Sequence, residues 1–328
     1  MRILSGIQPS GQLHLGNWFG AIRQFVKLQE AGHECFYFIA SYHALTSLRN
    51  ASDLERATMH LACGYLALGI DPARSVFFVQ SDVPQVTELC WVLNCVCPVG
   101  LMERGTSYKD KVARGLSPNM GLFGYPVLQA ADIVIYDANL VPVGADQKQH
   151  IEMTRDLAEK LNREVGTEER PVLVVPEPYI LEEVAVVPGI DGQKMSKSYD
   201  NTIEVFATPK ETGKRVMQIV TDSTPLEAPK DPAKCNVFAL LKLFATPEET
   251  AEIADRYRAG GYGYGHAKKR LAELINDRFA DARARYAEYE ARPDHVRDVL
   301  REGGRRAREV AEATMERVRG ACGLMVNR

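Results

Sequence analysis

No run of this 328-residue chain reaches the 18 or so consecutive apolar residues that a membrane-spanning helix needs, which excludes such a span. The opening MRILSGIQPSG has one arginine and a short apolar run broken by glycine and proline, which is not the pattern of a secretory signal. A dominant charge is also missing. The 40 Lys and Arg against 43 Asp and Glu leave −3, which excludes a strongly basic nucleic-acid coat and an acidic disordered tail. Cysteine is odd in number, at seven, and a chain this long has no need of disulfide staples. Cys95 and Cys97 stand two apart rather than in a CxxC pair, and no second pair follows. Buried, reduced thiols in a cytoplasm are expected.

What is present is an ordinary globular composition, 45% hydrophobic and 25% charged. The length suits two domains of roughly 100–200 residues. Charge is uneven: the first 250 residues hold 23 basic and 30 acidic side chains, the remainder 17 and 13. A mildly basic C-terminal part permits a nucleic-acid partner there without demonstrating one.

Apolar runs at 3–7, 35–40, 75–80 and 140–143 read as strands. Helical spacing begins at Leu15 and repeats through Phe19, Ile22 and Val26 until Gly32. Ser52-Asp53-Leu54-Glu55 is a capping-box pattern opening a helix to about Gly69. Further helices are expected at 84–96, 125–137 and 146–164. Strand alternating with helix predicts an α/β fold, a Rossmann-like doubly wound parallel sheet, over about the first 185 residues. Ligands on such sheets bind beyond the carboxyl ends of the strands. Residues 166–190 read as connecting structure. From about 200 the pattern turns helical, near 210–220, 236–245, 248–258, 266–290 and 294–320, so an all-helical second domain is expected.

Two segments carry chemistry. Gln8-Pro9-Ser10-Gly11-Gln12-Leu13-His14-Leu15-Gly16-Asn17 lies between the first strand and the first helix. A helix N-terminus offers unpaired N–H groups and a positive dipole end that suit phosphate. Gly16 lets a nucleotide approach the backbone, and His14 and Asn17 can donate to phosphate oxygens. The turn matches neither GxGxxG nor a P-loop, and a turn with capping polar groups would look the same. The second segment is Lys194-Met195-Ser196-Lys197-Ser198, after Pro188-Gly189 and Asp191-Gly192. Two lysines and two hydroxyls in a glycine-flanked loop can close on a polyphosphate; a solvated basic loop is the plainer alternative.

HLGN resembles the HIGH motif of the class I aminoacyl-tRNA synthetases, and KMSKS matches that class's second motif letter for letter, in the same order and separation. SGIQPSG ahead of His14, GADQKQH at 144–150 and the tail 307–325 resemble the tryptophanyl-tRNA synthetase family, over nearly the whole chain. The resemblance implies a cytoplasmic, homodimeric, ATP-dependent ligase that joins L-tryptophan to tRNA(Trp). The tryptophan carboxylate would attack the α-phosphate of ATP, releasing pyrophosphate, and the tryptophanyl-adenylate would then esterify the terminal ribose of the tRNA. The resemblance makes His14, Asn17, Lys194 and Lys197 catalytic, with Asn17 replacing the second histidine of HIGH. ATP would meet Gln8, Pro9, Ser10, Gly16, Asn17, Gly144, Ala145, Asp146 and Val187. It would also meet Lys194, Met195, Ser196, Lys197 and Ser198, with help from Lys109 or Lys111. Ala145 stands where the family more often has Glu, which leaves only a backbone contact there. Mg²⁺ would arrive on the phosphates rather than in a protein cage. Residues 1–187 would form the catalytic domain, with 293–328 packed back on it, and 188–292 the anticodon-binding domain, with KMSKS at its start.

Tyr125, Gln129 and Asp132 fall on one face of one helix. Polar groups on an otherwise apolar helix are costly to bury alone, so they either bridge to neighbouring helices or line a side-chain pocket. An indole N–H is a donor only and wants an acceptor such as Asp132. Phenylalanine would leave that carboxylate unpaired. The resemblance adds Tyr125 and Gln147 at the substrate amino group, and Leu4, Gly6, His43, Val141 and Val143 as walls. Gln129 stands where many tryptophan enzymes carry Met, and Gln129 with Asp132 also resembles the pocket of the tyrosine enzymes. YPVLQAAD resembles a branch of tryptophan enzymes found in thermophiles. Some members of that branch bind an iron–sulfur cluster through four cysteines. Cys235 matches the first, but Tyr257, Tyr264 and Ala267 occupy the other places, and one thiolate cannot hold a cluster, so none is expected. Three rivals stay open: a tyrosine-specific synthetase, a small-molecule nucleotidyltransferase with a HIGH-type site, and a non-catalytic paralogue that binds tryptophan or nucleotide. Arg305 and Arg306 read as surface charge.

Overall fold

The computed structural model describes residues 1–9, 11–47, 50–104, 119–144, 148–167, 169–180 and 186–324. Strands β1 (Arg2–Ile7), β2 (Glu34–Ile39), β3 (Ser75–Val79), β4 (Leu140–Val143) and β5 (Glu177–Ile180) make one sheet in the order β3-β2-β1-β4-β5, parallel throughout. β1 pairs with β2 along its whole length but with β4 only at Ile3–Leu140. Strand order reverses at β1, and the crevice of such a sheet lies at that reversal. β2 and β3 carry unbroken apolar runs, Cys35–Ile39 and Val76–Val79, as strands covered on both faces do. Successive residues serve opposite cores: Ile3, Tyr37 and Phe77 one, Leu4, Phe38 and Phe78 the other.

The first helical segment is interrupted in kind. α1 (Leu15–Asn17) runs into a π-helical turn (Trp18–Ile22) and then α2 (Arg23–Glu30). The wider turn rotates the inward face onto Trp18, Ile22, Phe25 and Leu28. Phe19 and Val26, expected inward from a 3.6-residue repeat, are only half-buried. The rest of the sheet-bearing part comprises α3 (Ser41–Ala44), α4 (Ala51–Ala67), α5 (Gln85–Val96), α6 (Val99–Arg104), α7 (Met120–Val134) and α8 (Lys148–Val165).

Three details depart from the sequence-based expectations. The cap of α4 is Asn50, whose Oδ1 accepts from the Ser52 N–H at 3.0 Å, rather than a capping box opened by Ser52. α7 begins at Met120 rather than 125, because Asn119 Oδ1 accepts from the Leu122 N–H at 2.9 Å and the helix tolerates Pro126. β5 occupies the stretch expected to be connecting structure; it is an edge strand of four residues with a proline, the place where a sheet admits one.

The later described residues are helical: α9 (Pro209–Met217), α10 (Asn236–Leu241), α11 (Pro247–Ala259), α12 (Tyr264–Glu290) and α13 (Pro293–Ala321). α13 turns round the open edge of the sheet. Val296 and Leu300 belong to one core and Ala307, Ala311, Met315 and Val318 to the other. At the crossing, a Cβ on Gly303 would lie 1.8 Å from the carbonyl oxygen of Phe77 in β3. Arg308 donates to the Asp82 carbonyl at 2.7 Å and Arg306 to the Pro72 carbonyl at 3.0 Å. Arg306 is therefore a fastening and not surface charge, whereas Arg305 pairs on the surface with Glu302 at 2.7 Å. The helix covers an edge that would otherwise be open to pairing.

Candidate active site

A cavity of about 530 Å³ opens at the β1–β4 reversal. Leu4, Gly6 and Gln8 reach it from β1 and the turn after it, and His43 from α3. Tyr125, Gln129 and Asp132 come from α7, and Val141, Val143 and Gly144 from β4 and its end. Ten residues singled out from the sequence thus meet round one space. Gly6 is required by shape, since a Cβ there would fall 2.4 Å from the ring of Phe38.

Asp132 is 1% exposed. Its Oδ2 accepts from His43 Nε2 at 2.8 Å, and Gln80 Nε2 donates to Oδ1 at 2.7 Å and to Oδ2 at 2.8 Å. Burial raises the Asp132 carboxyl above its ordinary value, and the bonds from His43 and Gln80 oppose that rise. Tyr125 hydroxyl and His150 Nε2 are 3.3 Å apart, and the Tyr125 ring meets His43 edge-on at 6.3 Å. Gln129 is half-buried in the wall. Gly20 and Ala21, small residues of the π-helical turn, line the same cavity.

HLGN and KMSKS form a second locus. His14, Asn17, Lys194 and Lys197 do not line the cavity. The Asn17 Oδ1 accepts from the His14 N–H at 3.1 Å, which leaves the Asn17 amide N–H₂ as the donor end. His14 is buried, and its Nδ1 has no hydrogen-bond partner among the described residues. Burial first, and the charge of Lys197 second, hold His14 down to about 4, so the ring is neutral at pH 7. The segment after KMSKS is stitched to HLGN: Leu15 N–H donates to the Ile203 carbonyl at 3.0 Å and Val205 N–H to the Leu13 carbonyl at 2.9 Å. Met195 is buried, with its N–H on the Val187 carbonyl at 2.8 Å. Asn201, 1% exposed, organises the loop. Its Oδ1 accepts from Ser196 N–H at 2.7 Å, and its Nδ2 donates to Asp191 Oδ1 at 2.8 Å and to the Lys194 carbonyl at 3.1 Å. Lys194 and Ser198 are exposed. Lys197 is exposed along much of its length, yet its stem lies within 4 Å of where a Cβ on Gly11 would be, and this partial burial lowers its ammonium pKa. Lys197 and Gly11 also border a second cavity of about 830 Å³, between α4 and the α12–α13 junction.

Pro9 is buried and lines neither cavity. Ser10, Lys109, Lys111, Ala145, Asp146 and Gln147 lie outside the described residues. Cys235 is buried, with its thiol 3.7 Å from the Tyr257 hydroxyl, and Tyr257 and Ala267 are core residues beside it. His150 ends the GADQKQH string but was given no role from the sequence; sequence reasoning passed over Gln80 and Asn201. Each is a lone polar residue whose role depends on partners brought in by the fold, and no local pattern marks it.

Residues 1–280 match the family described as tRNA synthetases class I (W and Y). The chain is 52% identical to a tryptophan–tRNA ligase of Fusobacterium nucleatum over 326 residues, 99% of each chain. It is also 52% identical to one of Rhodopirellula baltica, over 99% of this chain and 100% of that protein. Among solved structures it resembles a tryptophanyl-tRNA synthetase from Campylobacter jejuni complexed with ADP and tryptophan, with 50% identity and a TM-score of 0.93 over 99% of this chain and 100% of that one.

Proposed function

The chain belongs to the class I tRNA synthetases for tryptophan and tyrosine and is an enzyme of that family, a tryptophan–tRNA ligase, for which we propose the following division of labour. Tryptophan's carboxylate attacks the α-phosphate of ATP, and pyrophosphate leaves. A hydroxyl of the terminal ribose of tRNA(Trp) then attacks the adenylate carbonyl, and AMP leaves. The protein positions the reactants and stabilises developing phosphate charge, with no covalent enzyme intermediate.

The indole ring lies in the 530 Å³ cavity with its N–H donating to Asp132, between Leu4, Gly6, His43, Gln129, Val141 and Val143. Tyr125 and Gln147 face the amino group. ATP lies along Gln8, Pro9, Ser10, Gly16, Gly144, Ala145, Asp146 and Val187. Neutral His14 and the Asn17 amide meet its phosphates. Lys194 and Lys197, with Lys111, supply positive charge to them from the loop that also carries Met195, Ser196 and Ser198. Mg²⁺ is assigned to the triphosphate oxygens, where it would neutralise charge.

Residues 1–187, with 293–328 packed back on them, are assigned as the catalytic domain and 188–292 as the anticodon-binding domain. A cytoplasmic homodimer without a bound iron–sulfur cluster completes the reading. Among the described residues no helix is long and apolar enough to cross a membrane. Trp91, Val99 and Met120, 70%, 64% and 78% exposed near α5 to α7, are large apolar groups that a partner subunit would cover.

The observation that carries the choice of tryptophan is the end-to-end identity of 52% with tryptophan–tRNA ligases. The test is ATP–pyrophosphate exchange with tryptophan, tyrosine and phenylalanine side by side. Exchange with tryptophan alone is expected; exchange with tyrosine would make Gln129 and Asp132 a phenol pocket.

A further inference from the structure

Gln80 opens a short 3₁₀ turn (Gln80–Asp82) at the carboxyl end of β3 and is 1% exposed. Its Oε1 accepts from the Tyr42 backbone N–H at 2.9 Å. A backbone N–H can only donate, so this contact settles which end of the amide is which without reference to Asp132. Nε2, which can only donate, then faces both oxygens of Asp132, on a helix 52 residues away in sequence. A carboxylate offers about four acceptor positions. Gln80 occupies one on each oxygen and His43 a second on Oδ2. Among the described residues one acceptor position is left, on Oδ1, and Asp132 borders the cavity.

We propose that Gln80 is a positioning residue for amino-acid selection: it holds Asp132 ionised and turned so that a single acceptor faces the cavity for a ring N–H. The proposal rests on the reading of this cavity as the tryptophan site. Gln80 touches no substrate. It acts because a proton on Asp132 would take the one open position and weaken both Gln80 contacts, which are stronger to a carboxylate, and because a rotated carboxylate would lose one of its two amide contacts. A group with one donor and no acceptor, such as indole, matches what remains. A ligand of the same shape without the N–H leaves a buried acceptor unpaired.

The test compares tryptophan with the isosteric analogue that carries sulfur in place of the indole N–H, in pyrophosphate exchange by wild type and Gln80→Met. In the variant the KM for tryptophan is expected to rise about tenfold to a hundredfold, the scale of a lost hydrogen bond to a charged group. The KM for the sulfur analogue and for ATP should stay near wild type, so selectivity between the two amino acids narrows by that factor. A role confined to tying α3 to α7 would lower thermal stability and move both amino acids alike; equal changes, or none, overturn the proposal. Gln80→Glu serves where the methionine variant does not fold. It keeps the reach and the Tyr42 bond but must share a proton with Asp132, and the same narrowing is expected; an unchanged ratio overturns the proposal. Wild type that fails to exchange with tryptophan is a separate result, which removes the reading of the cavity itself.

Discussion

The imidazole of His14 lies across the α-carbon of Gly16: a Cβ built on Gly16 falls 2.9 Å from both Cε1 and Nδ1 of the ring, and 3.5 Å from Met195 Cβ. The glycine is thus where one motif lets the other close on it. Gly16→Ala has to displace His14 or the loop. Displacements near 1 Å at a reacting centre cost about a hundredfold in rate, and that loss is expected in pyrophosphate exchange. Tryptophan affinity by calorimetry should be unchanged, because Gly16, His14 and Met195 do not border the 530 Å³ cavity proposed for it.

His14 also links the site to pH. Burial and Lys197 lower it from 6.5 to about 4. Between those values the unfolded chain binds a proton that the native protein does not, so stability rises with pH across the window and is lost as pH falls from 6.5 towards 4. Wild type should lose on the order of 2 kcal/mol more between pH 7 and pH 4.5 than His14→Gln does, as measured by urea unfolding. Equal losses would mean that His14 is not the group responsible.

Lys194 has an exposed side chain that forms no ion pair among the described residues, and the loop holds its backbone through Asn201. Truncation should therefore leave the fold alone. Lys194→Ala is expected to slow adenylate formation by about 10²–10³-fold, the scale of losing one preorganised charge-stabilising group, with tryptophan affinity kept. Normal exchange in this variant would remove the lysine from the reaction.

Asn201→Ala strands the Ser196 N–H and the Lys194 carbonyl and leaves Asp191 Oδ1 with only the Gln193 N–H among the described residues. The cost should be roughly 3 kcal/mol in unfolding free energy. The KM for ATP should rise while that for tryptophan stays level, since the damage falls on the loop. A parallel rise in both would place Asn201 in a wider structural role.

Gly303→Ala drives a methyl group into the Phe77 carbonyl. Backbone cannot rotate away as a side chain does, so a loss of at least about 3 kcal/mol is expected. Gly320→Ala, on the same helix with no described atom within 4 Å, is the control and should be neutral or slightly stabilising.

Sequence carried the chemistry where the chemistry is local. HLGN and KMSKS are contiguous strings, and Tyr125, Gln129 and Asp132 share a helix whose repeat alone puts them on one face. The parallel sheet was legible because the runs Cys35–Ala40 and Val76–Val79 are apolar without interruption. β5 was not, since four residues with a proline leave too short a pattern. The π-helical turn at Trp18–Ile22 has no signature in a 3.6-residue repeat, so the inward face was placed on Phe19 and Val26 instead of Trp18 and Phe25. Gln80 and Asn201 stayed hidden for another reason. Gln80 acts on a residue 52 positions away, and two of the three bonds the Asn201 side chain makes among the described residues go to backbone atoms, which no side-chain pattern records.

The helix that rounds the sheet edge sets a timetable as well as a boundary. Arg308 and the Asp82 carbonyl it fastens are 226 residues apart. At about 5–20 residues per second of synthesis, β3 emerges roughly 10–45 s before its cover exists. Throughout that interval the nascent sheet presents a bare strand to every other nascent chain nearby. Slowing synthesis between the strand and the helix lengthens the time β3 spends without this cover and alters no native contact.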